Sequence, residues 1–466
     1  MRNRAWREVR FAGSSFLVSR CYQIRFTLKK NMQPTVLVAT STWWPLSAQL
    51  AISLRDHGCV VETLCPPGHP LRYVKGVRRH HLYRSLDSFG ALHRAIVAAN
   101  PQIVIPCDDA VVWQMHQLYR DRPQLRALIT HSLGSAAHFE TVKSRERLQQ
   151  LAHELHIRVP RTERVRTQEE LRHCFERAGQ VWVLKQDGTW GGNGVRVVRS
   201  WPEAAGELTR MLRPAPRSLA YKRMVINHDP VALWIGRTFR EPVVTLQEFI
   251  PGRPANVMMA CWKGHVLGAV TVEVLWSHGA TGAAMVARLI EHSEIARAAC
   301  ALAKKLELSG FHGLDFMLEA TSGAAYLIEL NPRCTQLGHL PIADQGDLAG
   351  LLCEKLGVDW ARSGEPPRNP RLKVGETIAF FPKALLWNET RSYLREGYQD
   401  TPWAEPALMR ELLRESWPDR RLAARLYHRL RPPRQEQAES FDEAPAPREV
   451  KRGGIPRWVK PSAGSN

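Results

Sequence analysis

The segment that most limits how this chain folds is Leu327-Ile-Glu329-Leu-Asn331-Pro332-Arg333. It reads as the end of an apolar strand, and residues two apart on a strand point to one face. Glu329 and Asn331 therefore project together, and Arg333 follows beyond Pro332. Leu314–Leu318, which carries Asp315, reads as the paired strand, with Ala320–Gly323 as a hairpin-like connection. Two carboxylates and an amide oxygen on adjacent strands suit Mg²⁺, which takes hard oxygen ligands and shares its shell with water and substrate phosphates. The simpler reading, strand-end acids neutralised by Arg333 in a structural salt bridge, stays open at the level of the residues.

Three further segments carry chemistry. In Val181–Val198 a strand ends at Lys185, a loop with Gly188, Gly191, Gly192 and Gly194 follows, and a second strand begins at Val195. Glycines let backbone N–H groups approach phosphate oxygens, and Lys185 adds a positive charge. The order GxxxxGK[ST] is absent, so this is no Walker loop; an ordinary hairpin with a loose turn is the competing reading. Gln247-Glu248-Phe249-Ile250 leaves a strand and turns at Pro251-Gly252, an edge suited to a purine and equally to a plain turn. Lys143 precedes a helical stretch, Ser144–His156, that Val159-Pro160 ends; alone it reads as a solvated charge.

The surroundings are those of a globular protein of 466 residues, 44% hydrophobic and 24% charged, with no apolar run near the length of a membrane helix. Nine cysteines, irregularly spaced and without CxxC, argue against a disulfide framework or zinc site and for a reduced, cytoplasmic setting. The formal net charge of +20 favours anionic partners without choosing among them. Residues 1–33 hold a net +7 of that charge. An organelle-targeting segment, a disordered basic arm and a translation start at Met32 are three readings of them. Strand and helix then alternate over residues 34–133, which predicts a doubly wound α/β domain. It lacks GxGxxG after its first strand. Residues 134–346 read as an α+β domain, 347–430 as a mostly helical extension, and 431–466, rich in Pro, Glu and Arg, as a disordered tail.

Taken in order, Lys143 with its helix and Val159-Pro160, Lys185 with Gly191-Gly192-Asn193-Gly194, Gln247–Ile250, Asp315 and Glu329-Leu-Asn-Pro-Arg333 resemble the ATP-grasp superfamily over about Ala137 to Leu340. The upstream α/β region resembles the pre-ATP-grasp domain. The resemblance implies a two-lobed fold with ATP between the lobes. It implies that Lys143 and Lys185 contact ATP phosphates, that the loop around Gly191, Gly192 and Gly194 closes over them, and that Gln247, Glu248, Phe249 and Ile250 line the adenine pocket. Asp315, Glu329 and Asn331 would hold Mg²⁺, with Mn²⁺ as a substitute, and Arg333 would face the phosphoryl acceptor. The implied activity is ADP-forming ligation, in which a carboxylate activated as an acyl phosphate is attacked by an amine or thiol. C–N bond formation is the leading expectation, and homodimerisation is common in the family. Trp190 within the glycine loop and Thr335-Gln336 after Arg333 depart from a simple pattern.

Two other functions compete. A non-catalytic ATP-binding regulator would keep the nucleotide site without turnover. A nucleic-acid-binding protein would use the positive charge, and Arg395, Arg410, Arg414, Arg420, Arg421, Arg425 and Arg429 could form a basic helical face. The basic residues are otherwise spread, and no aromatic–basic RNA-binding motif accompanies them.

Overall fold

The computed structural model describes residues 33–176, 181–186, 194–213, 243–279, 282–342, 347–358, 371–416, 419–430 and 438–441. The first elements are β1 (Thr35–Ala39), α1 (Ser47–Asp56), β2 (Val60–Cys65), β3 (Arg79–Leu82), α2 (Ser88–Ala99), β4 (Ile103–Pro106), α3 (Asp109–Asp121) and α4 (Arg126–Leu133). The four strands form a parallel sheet in the order β3-β2-β1-β4. β1 and β4 are buried at every position, as continuous apolar runs in a sheet covered on both faces should be. The chain order reverses at β1, and in open α/β sheets ligands sit beyond the carboxyl ends of the strands at such a reversal. Asp108 caps α3 there by accepting the Val111 N–H at 2.9 Å.

Next come α5 (Phe139–Lys143), α6 (Arg145–Glu154), β5 (Thr162–Val165), α7 (Gln168–Glu176), β6 (Trp182–Gln186), β7 (Val195–Val198), α8 (Trp201–Leu212) and β8 (Val244–Glu248). Four of these make an antiparallel sheet, β5-β8-β6-β7. Leu171 of α7 and Leu208 of α8 close a separate small core with Trp182, Leu184 and Val244.

The largest sheet follows: β9 (Gly252–Trp262), β10 (His265–His278), β11 (Ala284–Leu289), α9 (Ser293–Lys305), β12 (Gly310–Glu319) and β13 (Ala325–Asn331). The chain continues through α10 (Leu348–Lys355), β14 (Thr377–Phe380), α11 (Tyr393–Glu396), β15 (Tyr398–Asp400), α12 (Pro406–Leu412), α13 (Leu422–Leu430) and β16 (Ala438–Ser440). Its path is β13-β12-β9-β10-β11-β14-β15, with β16 on β10. Helices α6 and α9 cover one face, where Leu148, Leu151, Ile295 and Leu302 meet Phe316 and Leu327. The entry to β9 needs a glycine, because a Cβ on Gly252 would lie 1.8 Å from the Leu318 carbonyl oxygen.

The region after residue 347 is woven into the rest. Beside its helices it contributes β14 and β15 to the large sheet. Val36, Leu50, Met258, Val272, Leu352 and Phe380 share one core. Gln49 donates to Asp400, and Arg55 pairs with Glu405 at 2.7 Å. Of the tail expected to be disordered from 431 onward, the described residues form a strand: β16 pairs with Trp276–His278, the part of β10 beyond the last β9 partner, Ala255. Open strand edges invite such pairing. No helix among the described residues is long and apolar enough to cross a membrane.

His57, at the end of α1, joins this region to the first sheet. Its Nε2 lies 3.0 Å from an Asp347 carboxylate oxygen and its Nδ1 2.7 Å from the Ser53 carbonyl. Burial disfavours the imidazolium, but the Asp347 carboxylate and the Ser53 carbonyl outweigh it and raise the pKa above the ordinary value. A raised native pKa adds stability that is complete below the unfolded value of about 6.5 and is lost as pH climbs through the native value. We expect denaturant midpoints to fall as pH rises above about 6.5. The His57→Gln variant should lose that part of the slope; an identical pH profile would exclude this ion pair as its source.

Candidate active site

The β12–β13 hairpin places the acidic cluster. Its register sets Asp315 opposite Glu329 and Gly313 opposite Asn331, and β9 sets Asn256 opposite Asp315. Asp315 accepts from Asn256 Nδ2 at 2.6 Å and from Asn331 Nδ2 at 2.9 Å. Burial and the neighbouring Glu329 carboxylate push the Asp315 pKa up to about 6, against the opposing pull of those amides and Arg333. Two acids set opposite each other, with Glu329 one-third exposed, are what a divalent cation relieves. The oxygen donors of Asp315, Glu329 and Asn331 fit Mg²⁺, with phosphates and water completing the shell. Among the described residues no cluster of three or more His, Cys, Asp or Glu side chains could hold a metal without such help.

Arg333 is enclosed by this cluster and by the first sheet. Its Nε donates to Asp109 at 3.0 Å and its Nη2 to Asn331 Oδ1 at 3.1 Å. Burial works against its charge, but Asp109, Glu329 and Asp315 together hold the guanidinium firmly protonated. Asp109 opens α3, directly beyond the end of β4. The Cys334 N–H donates to the Pro106 carbonyl at 2.9 Å, clamping the segment after β13 onto β4. Asp108 holds the facing loop by accepting from Thr40 Oγ1 at 2.9 Å and Ser41 Oγ at 3.0 Å. A cavity of about 390 Å³ lies here, lined by Thr42, Trp44, Asp109, Asp315, Glu329 and Arg333 among others. It sits at the β1/β4 reversal.

The other expected positions distribute as follows. Lys185 is 7% exposed on β6, opposite Val195 and Thr245. Gly194 accepts from the Gln186 N–H at 2.8 Å; Gly191 and Gly192, with Trp190, lie outside the described residues. Gln247 is buried and donates to Thr162 Oγ1 at 3.1 Å, while Glu248 and Arg161 exchange contacts through the Glu248 N–H and carboxylate. Phe249 and buried Ile250 follow the end of β8 and link the small sheet to β9 of the large one. Lys143 ends α5 and pairs with Glu140 at 3.0 Å; it is not among the cavity-lining residues.

Sequence reading missed Arg145. Its Nη2 lies 3.3 Å from Glu329 Oε2 and its Nη1 3.5 Å from the Gln186 carbonyl, so it links the acidic cluster to the strand bearing Lys185. The usable signal was Ser144. Its hydroxyl accepts the Arg147 N–H at 3.2 Å, which makes Arg145 the first residue of α6. Of the seven arginines from Arg395 to Arg429, Arg414 and Arg420 both pair with Glu411, and Arg425 approaches Glu415 at 3.9 Å.

Comparison with known proteins places these features. No curated protein sequence matches the chain. Residues 230–336 match the model of an ATP-grasp domain. Among solved structures, an N5-carboxyaminoimidazole ribonucleotide synthetase in its ADP complex is 16% identical at a TM-score of 0.50, covering 74% of this chain and 81% of its own. The Aspergillus clavatus carboxyaminoimidazole ribonucleotide synthase with ATP is 15% identical at a TM-score of 0.50, covering 74% and 80%. A complex of the Aspergillus clavatus enzyme with ADP and 5-aminoimidazole ribonucleotide gives 15%, 0.50, and 70% and 78% coverage. At these identities the likeness is one of fold. What the comparisons show is therefore an ATP-grasp domain match over residues 230–336, the stretch that contains β9 to β13 and gathers the acid, amide and arginine on β12 and β13.

Proposed function

We propose that the protein is an ADP-forming ligase that joins a carboxylate to an amine at the expense of ATP. The observation that carries this reading is the joining of the Asp315–Glu329–Asn331 cluster and Arg333 to one cavity. An acid cluster suited to a metal nucleotide and a guanidinium suited to a carboxylate face the same space. The similar enzymes solved in complex with ADP, with ATP, or with ADP and an aminoimidazole ribonucleotide support it.

In this reading Gln247–Ile250 line the adenine site where the two sheets meet. Lys185, with Arg145 beside it and Lys143 from α5, neutralises the triphosphate. The backbone around Gly191, Gly192 and Gly194 covers it. Asp315, Glu329 and Asn331 hold Mg²⁺, which when bound supplies charge neutralisation on the phosphates. Arg333 orients the acceptor carboxylate. A carboxylate oxygen attacks the γ-phosphorus, the bond to the β-phosphate oxygen breaks, and ADP leaves. The amine nitrogen then attacks the acyl carbon, the C–O bond breaks, phosphate leaves and the nitrogen loses a proton. The chain's own contribution is positioning and electrostatics, and no protein nucleophile enters. Cys107 and Cys334, nearest the site, are buried thiols with pKa values pushed well up and remain unreactive.

The test is ADP and phosphate release from the full chain with Mg²⁺ and ATP, screened against paired pools of carboxylates and amines. We expect release that needs one member of each pool. ATP binding without release under any pair would favour a regulatory nucleotide-binding role instead.

A further inference from the structure

The turn after β1 is unusual for a strand-order reversal. Where a dinucleotide fold has a glycine-rich turn that brings backbone against phosphate, this chain has Thr42-Trp43-Trp44-Pro45. The Trp44 backbone is fixed on both sides. Its N–H donates to His69 Nε2 at 3.3 Å, and its carbonyl accepts from the Ser47 N–H at 3.2 Å and the Ser47 hydroxyl at 2.6 Å. Its indole is fixed as well. The Lys383 ammonium, just beyond β14, lies 4.8 Å from the ring centroid and is buried without a hydrogen bond among the described residues. Such an ammonium depends on the negative face of the ring. Trp44 lines the cavity, and Lys383 does not.

The cavity has two chemically different sides. Asp109, Asp315, Glu329, Asn331 and Arg333 supply charge and hydrogen bonds. Trp44, Cys107, Ala110, Ala283, Ala284 and Leu337 supply an apolar flank. Cys107, Ala284 and Leu337 belong to one hydrophobic core, and Trp44 packs against it. Continuing the β11–β14 register beyond Val286 and Ala379 brings Ala284 level with Phe381, two residues before Lys383. The start of β11 and the Lys383 segment therefore meet at this flank. Phosphate, Mg²⁺ and carboxylate gain nothing from such a surface, so it suits an apolar part of a substrate. Ala110, Ala283 and Ala284 are small, which leaves the indole as the largest surface there. Aromatic rings pair with an indole in offset-stacked or edge-to-face arrangements. A second cation is disfavoured on a ring that already carries Lys383, because the two like charges repel across it. A neutral ring is the better match.

We propose that a substrate of this site carries an aromatic ring, which packs on the Trp44 indole beside Ala110, Ala283 and Ala284. Trp44 then determines specificity, and Lys383 is a positioning residue that holds the indole in place. This rests on the ligase reading for the name of substrate but is tested apart from turnover. Calorimetry on the full chain with Mg-ADP would compare phenylacetate, 3-phenylpropanoate, phenylalanine and phenethylamine with their cyclohexyl counterparts and with acetate, propanoate, alanine and ethylamine. At least one phenyl compound should bind about tenfold more tightly than its cyclohexyl and short counterparts, from ring pairing and buried area together. Trp44→Ala should remove that preference, Trp44→Phe should retain it, and ADP affinity should stay unchanged in both. Ala283→Leu, at a partly exposed position, gives a second reading: it narrows the flank and should weaken the phenyl compound while sparing the short ones. Cyclohexyl compounds that bind as tightly as phenyl ones would overturn the proposal. So would no binding of any phenyl compound, or indifference to both Trp44→Ala and Ala283→Leu in folded variants. Phenyl binding that depends on Trp44 without any ADP release would sink the ligase reading and leave this assignment standing. ADP release driven by short aliphatic substrates and unaltered by Trp44→Ala would do the reverse.

Discussion

Glu329→Gln should lower Mg²⁺-dependent ADP formation by about 10²–10³-fold, the scale seen when one preorganised electrostatic contact to a transition state is removed. The substitution keeps the shape of the side chain and deletes its charge. It converts the carboxylate opposite Asp315 into an amide and leaves Arg145, 3.3 Å from Glu329 Oε2, without its anionic partner there. The fold should survive. Glu329 is a source of repulsion for Asp315, one of the two causes that raise its pKa, so removing the charge relieves the cluster. Initial rates across a Mg²⁺ titration, with melting temperature as the control, check both halves. Turnover within tenfold of the wild type would remove Glu329 from the metal set.

The largest structural effect is expected at Glu273, far along the same sheet. Its carboxylate takes Arg253 Nη1 of β9 at 3.3 Å and Arg288 Nη1 of β11 at 2.9 Å. Glu273 and Arg253 are buried, and the Arg253 Nε also donates to the Phe441 carbonyl beside β16. Glu273→Ala takes the Glu273 carboxylate away from a buried guanidinium, and breaking such a pair costs about 3–5 kcal/mol. Replacing both partners by apolar residues, as in Arg253→Met with Glu273→Leu, should recover most of that loss, since the desolvation of both charges disappears together. Urea midpoints of the three proteins decide it. A single-variant loss below about 1 kcal/mol would mean that water reaches the pair and screens it.

The legible parts of this protein are local. Alternating strands and helices over 34–133 become β1 to α4, because buried parallel strands need continuous apolar runs. The hairpin that sets Asp315 against Glu329 was readable because its strands are adjacent in the chain and period two assigns each residue a face. Lys185 at a strand end and the helix after Ser144 follow from the same local rules. Long-range partners were not readable. Arg333 meets Asp109 and Arg145 meets Glu329 across separations of 224 and 184 residues. Nothing in the spacing of either pair identifies the other member. The strands β15 and β16 were hidden for a related reason: each is short, and the open edge it joins is what makes it a strand.

By itself, then, the sequence determined the chemistry available: two acids, an amide and an arginine at the end of one hairpin, and a lysine before a glycine loop. Tertiary structure decided what that chemistry faces. Clamping Cys334 onto the end of β4 brings Arg333 to Asp109 and makes the β1/β4 reversal the far wall of the cavity. Periodicity reports which side of a strand is buried; only packing reports against what.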